Sequence, residues 1–133
     1  MLRRYLLLLA LCVASSKCEL KSPCAELFEY TKQDEVGRWE GVVNVKSDCK
    51  LHGLWMRIFL EGDVSELNLL NIEGEVKSLK PKTNGFIIIN PDLITMKNVL
   101  VPIKFAVVYE GNNPPNLSGI RLNTRTYCPV GAD

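Results

Sequence analysis

The sequence has 133 residues, 47% of them hydrophobic and 23% charged, with a formal net charge of +1. That length suits one domain with its own core. The near-neutral, interspersed charge supplies no long-range field of the kind that gathers nucleic acid or anionic lipid. The first element is a leader. Arg3 and Arg4 precede a nearly unbroken apolar run from Tyr5 to Ala14, and Ser15 and Ser16 follow it. A positive start, a short apolar stretch and small residues at the exit make a secretory signal peptide. A membrane anchor needs about 20 apolar residues, twice what this run offers. The expectation is therefore a signal peptide over 1–16, cleaved after Ser15 or Ser16, and a single secreted, extracellular domain over 17–133 with no membrane span. That domain keeps 117 residues, 14 basic and 15 acidic, for a formal charge of −1. Its one mild basic cluster, Lys77, Lys80 and Lys82, reads as a solvated loop.

Of the five cysteines, Cys12 leaves with the leader, and Cys18, Cys24, Cys49 and Cys128 remain. An even number in a secreted chain implies two bridges, with three pairings open. A bond between Cys24 and Cys128 would clamp the two ends of the domain. Irregular spacing, the lack of a Cys-x-x-Cys and a single histidine, His52, argue against zinc.

Along the chain, a turn is expected around Cys24 to Tyr30. Period-two alternation then predicts a strand over Arg38–Lys46, with Trp39, Gly41, Val43 and Val45 on one face. His52 falls in a turn-like stretch just before the next strand, Leu54–Leu60. There Leu54, Met56, Ile58 and Leu60 share one face and Trp55, Arg57 and Phe59 the other, so both sides are at least partly covered. Shorter apolar runs follow at Leu67–Ile72, Phe86–Ile89 and Leu117–Leu122. The longest alternation is Val101–Tyr109, with Val101, Ile103, Phe105, Val107 and Tyr109 inward and Pro102 tolerable near a strand start or on an edge. Turn chemistry at Glu61-Gly62-Asp63, Glu73-Gly74, Asn84-Gly85, Asn90-Pro91-Asp92 and Gly111–Pro115 separates them. Strands at this spacing predict an all-β fold, an antiparallel two-sheet sandwich, disulfide-bridged.

Catalytic chemistry finds no foothold in the sequence. A serine-protease triad needs a histidine base, an orienting acid and a serine within reach. His52 is the only candidate base, and none of Ser22, Ser47, Ser65, Ser78 or Ser118 sits in a nucleophile motif. No phosphate-cradling loop occurs, and no cofactor is expected. Asn116-Leu117-Ser118 is an N-glycosylation acceptor following the exposed Asn112–Pro115 loop.

A family resemblance rests on ordered motifs: Cys24-Ala-Glu-Leu-Phe28-Glu-Tyr30, Gly37-Arg-Trp39-Glu-Gly41, Phe105-Ala-Val107-Val-Tyr109, Pro115-Asn-Leu117-Ser-Gly-Ile120-Arg-Leu122-Asn123 and Tyr127-Cys128. Their order resembles the N-terminal domain of gastrulation-defective type arthropod serine proteases, from Cys24 to Cys128. The resemblance implies a bridge between Cys24 and Cys128, leaving Cys18 with Cys49. It also puts Trp39 on an inner sheet face, with Gly41 allowing a backbone or ring to approach. Thr124 departs from the glycine common after the family's asparagine.

The family's proteins usually continue through a linker into a trypsin-like protease domain, and the sequence stops five residues after Cys128. By resemblance, the leading expectation is a non-catalytic interaction or regulatory domain of an extracellular protease cascade. Its partner would be an extracellular protein, a serine protease or its activator. Two alternatives stand beside it: the N-terminal piece of a full protease, and a carrier of small apolar ligands using space between the sheets. The second is motivated by Phe86–Ile89, apolar on both faces. A purely structural matrix role fits the bridged, irregular layout less well.

Overall fold

The computed structural model describes residues 20, 22, 24–79 and 84–123, and the backbone of 125–128. The expected signal peptide, Cys18, Lys80, Lys82 and Thr124 lie outside the described residues. The strands are β1 (Phe28–Glu35), β2 (Arg38–Val45), β3 (Leu51–Glu61), β4 (Glu66–Leu69), β5 (Glu75–Ser78), β6 (Gly85–Thr95), β7 (Val101–Val108), β8 (Asn116–Leu122) and β9 (Arg125–Cys128). They form a four-stranded sheet in the order β1-β2-β7-β4 and a five-stranded sheet in the order β5-β6-β3-β8-β9. The pairings are antiparallel, and the fold is the two-sheet antiparallel sandwich that the alternation predicts.

The central strands follow the sequence pattern closely. Trp39, Val43 and Val45 of β2, Ile103, Phe105 and Val107 of β7, and Leu54, Met56, Ile58 and Leu60 of β3 are buried between the sheets. Phe28, Tyr30, Trp39 and Phe105 build an aromatic knot, with Trp39 at 4.8 Å from Tyr30, 5.8 Å from Phe105 and 6.1 Å from Phe28, all edge-on. Edge-to-face packing sets the positive rim of one ring against the negative face of another. The indole N–H of Trp39 donates to the Pro115 carbonyl at 3.0 Å, so the buried ring leaves no polar atom unsatisfied. Gly41 makes the knot possible. A Cβ there would lie 2.5 Å from the Phe28 ring, inside any real contact.

Three strands escape the sequence pattern, and all are outer strands. The turn expected at Cys24–Tyr30 spans only Cys24–Leu27, where the Leu27 and Phe28 amides both donate to the Cys24 carbonyl at 2.9 Å. From Phe28 the chain is strand, but only Phe28 and Tyr30 of β1 carry an apolar signal. The four-residue β5 has Val76 alone, and β9 is as short. His52 lies within β3 rather than in a turn before it, paired with Ile94. Asn90-Pro91-Asp92, expected as a turn, is a bulge inside β6: the register passes from Leu54↔Asn90 to His52↔Ile94. Asn90 holds it by accepting from the Asp92 amide and donating to the Glu73 carbonyl. Bulges carry the extra residues that a regular ladder cannot.

Pro102 sits in β7, a central strand, yet β4 pairs with β7 only over Phe105–Val108. Beside Pro102 the place of β4 is taken by the Asn71 side chain, which donates to the Pro102 carbonyl at 2.8 Å and accepts from the Lys104 amide at 2.7 Å. Proline is thus confined to a stretch that is locally an edge.

Tyr30 joins the two sheets. Its hydroxyl oxygen accepts from the Leu117 amide of β8 at 2.8 Å. Burial raises the phenol above its ordinary value; the Leu117 bond opposes that rise and Glu61 adds to it. The folded state therefore holds the Tyr30 proton where the unfolded chain, near pH 10, releases it. Its contribution to stability is complete below about pH 10 and is lost as pH climbs through the raised folded value. Denaturant titrations from pH 8 to 11 should show a Tyr30→Phe variant losing less stability over this range than the unaltered protein. At neutral pH the variant should be weaker by about 1–3 kcal/mol, because the Leu117 N–H is orphaned. An identical alkaline slope in both proteins would contradict the assignment.

Candidate interaction surface

No group of three or more His, Cys, Asp or Glu side chains that could hold a metal occurs among the described residues. No described helix is long and apolar enough to cross a membrane. His52 is exposed on β3. Between the sheets, the cavity bounded by Leu27, Val43, Val45, Met56, Ile120 and Leu122 is about 20 Å³. That is room for about one water, against the several hundred Å³ a small-molecule site needs. Phe86 and Ile88 fill the core while Ile87 and Ile89 face outward, half-buried. The inward half of the run that motivates a carrier is therefore spent on packing. A larger opening, about 430 Å³, has a mixed lining, with Leu20, Val36, Trp39 and Tyr109 beside Gln33, Asp34, Glu35 and Asn112, and it is not an enclosed apolar cavity between the sheets.

The cysteines divide. Cys24 is disulfide-bonded, to a partner outside the described side chains. Cys49 is exposed and its thiol is free, so the expected Cys18–Cys49 bridge is not formed in this structure. The Cys49 amide is turned back onto the Ser47 hydroxyl at 3.2 Å, in the solvent-facing loop between β2 and β3. Asn116 is exposed at the start of β8, opposite Glu61, with Leu117 buried beside it.

The outer face of the five-stranded sheet carries the most organised surface. Met56 and Ile58 point inward and are fully buried, so the alternating Trp55, Arg57 and Phe59 point outward. Trp55 is 39% exposed. Its ring lies over Gly53: a Cβ on Gly53 would come within 2.3 Å of it, and Gly53 has φ +88°, where side chains are strained. Asn123, in the turn just after β8, fastens the same stretch of β3. Its side chain accepts from the Trp55 amide at 2.8 Å and donates to the Gly53 carbonyl at 3.1 Å, while its own amide donates to the Trp55 carbonyl at 2.9 Å. Asn123 adopts φ +46°, a left-handed conformation asparagine tolerates better than most residues. Sequence reasoning notes Asn123 as a motif residue without a role; the clamp on Trp55 supplies one. Register then places Arg57 between Ile87 of β6 and Arg121 of β8, with Lys77 of β5 beyond Ile87.

The described residues thus form a filled sandwich with a half-exposed tryptophan on one sheet face. The chain belongs to the family described as the serine protease gd N-terminus, whose model matches residues 22–132. That N-terminal module is non-catalytic and distinct from the family's protease domain. No individual curated protein matches the sequence significantly.

Proposed function

We propose that the protein is a secreted regulatory domain that binds a component of an extracellular serine-protease cascade. Family membership over nearly the whole chain carries the reading, and a tightly packed core with little room between the sheets supports it against a carrier. In this reading residues 1–16 are a signal peptide removed on export. Cys24 bonds Cys128 in the oxidising environment outside the cell. Asn116 carries an N-linked glycan on its exposed position.

Expression of the full chain in insect cells tests the reading. The protein should enter the medium beginning at Ser16 or Lys17, and its mass should fall on treatment with an N-glycosidase unless Asn116 is replaced by Gln. Immobilised, it should bind a trypsin-like zymogen of its own source saturably while hydrolysing no peptide substrate. Retention in the cell would refute secretion. Failure to bind any such zymogen, with stoichiometric uptake of a fatty acid probe instead, would replace the regulator by a carrier.

A further inference from the structure

We infer that the outer face of the five-stranded sheet, centred on Trp55 and Arg57, docks an extended segment of a partner protein that presents an acidic side chain between two apolar ones. The inference rests on the interaction reading above and specifies the surface and the chemistry it recognises.

Charge carries the argument. Arg57 and Arg121 stand directly opposite one another on β3 and β8. Arg121 has an interaction of its own, which leaves Arg57 as the guanidinium this face offers. No described carboxylate lies within ion-pair distance of Arg57. Lys77 extends the same cross-strand row and is matched only by the exposed Glu75, at 3.5 Å. A guanidinium held in this way on a sheet face offers a planar fork for a carboxylate supplied from outside.

The flanking rows set the rest. Trp55 lies on one side of Arg57 along the strand and half-buried Phe59 on the other, with half-buried Ile87 adjoining. Alternate residues of a strand are about 6.7 Å apart, and alternate side chains of an extended peptide share that spacing. An apolar-x-acidic-x-apolar segment therefore matches Trp55, Arg57 and Phe59 position for position. The seat of the Trp55 ring over Gly53 lowers the ordering cost that a freely mobile tryptophan would impose on binding. Tryptophan and arginine are also the side chains that most often dominate interface energies.

The test uses the secreted protein labelled with nitrogen-15 and a blocked peptide that presents Leu, Glu and Leu at alternate positions separated by serine. Titration should shift the Trp55 indole N–H and the amides of Arg57, Phe59 and Arg121, with the affinity falling as salt is added. Arg57→Glu should weaken the peptide about tenfold, as should Gln for Glu in the peptide. Both variants, Arg57→Glu and Trp55→Ala, should keep the unaltered thermal midpoint to within a few degrees. Shifts elsewhere, or equal affinity for the Gln peptide, would overturn the inference. So would preference for a heparin oligosaccharide over the peptide, or a Trp55-dependent dimer in sedimentation, which would make a second copy the occupant. A zymogen that binds the Arg57→Glu, Trp55→Ala double variant undiminished would refute this surface and leave the regulatory reading intact. A zymogen that fails to bind the unaltered chain refutes that reading instead.

Discussion

Replacing Trp39 by alanine should lower the free energy of unfolding by about 3–5 kcal/mol, the usual range for removing a buried large aromatic. Trp39 is only 1% exposed and is the largest of the fully buried side chains. Three aromatic neighbours close around it, and these edge-on contacts add to the area it buries. Its truncation also strands the Pro115 carbonyl, which accepts from the indole N–H. Trp39→Phe separates the two effects. Most of the ring volume stays while the donor is lost, so the cost should fall to about 1–3 kcal/mol. Urea unfolding with an unchanged slope would measure both. A loss below about 1 kcal/mol for the alanine variant would mean that the aromatic knot is not the centre of the core.

Exchanging Cys24 for serine should cost about 2–5 kcal/mol, enough to leave much of a small secreted domain unfolded at 37 °C. Cys24 is disulfide-bonded, and the proposed partner is Cys128. The geometry of the flanking strands favours that choice. β1 is an outer strand of one sheet and β9 an outer strand of the other. The Tyr30–Leu117 bond draws β1 against β8, the neighbour of β9. A bond from Cys24 to Cys128 would then tie the two sheets along that side and close nearly the whole domain into one loop. Non-reducing peptide mapping decides the matter. A Cys18–Cys24 bridge would close a loop of only a few residues, and the stability lost on its removal should then be far smaller.

What the sequence makes legible follows from which strands are central. β2, β3 and β7 have neighbours on both sides and a core beneath them, so Trp39 to Val45, Leu54 to Leu60 and Val101 to Val107 alternate plainly. An outer strand buries little, and β1 needs only Phe28 and Tyr30 to seat it. Its remaining residues, Lys32, Asp34 and Glu35 among them, read as loop. The β6 bulge misleads for another reason. Asn90-Pro91-Asp92 has genuine turn chemistry, here used to accommodate extra residues without leaving the strand. The proposed interaction surface is half visible: Trp55, Arg57 and Phe59 can be placed on one face from sequence. That Arg57 meets Arg121, and that Asn123 holds Trp55 in place, depends on the register between β3 and β8, which no local pattern encodes.

The outer strands have a consequence for the protein at high concentration. Two of them, β4 and β5, are four residues long and bear charged side chains, Glu66 on one and Glu75 and Lys77 on the other. β9 is equally short, and β1 is broken by two register shifts against β2. Short, charged and irregular rims give a foreign strand no ladder to extend. The domain is thereby protected against runaway polymerisation through its backbone. In the proposed reading, recruitment of a partner is left to side-chain chemistry on the sheet faces, where specificity can be encoded.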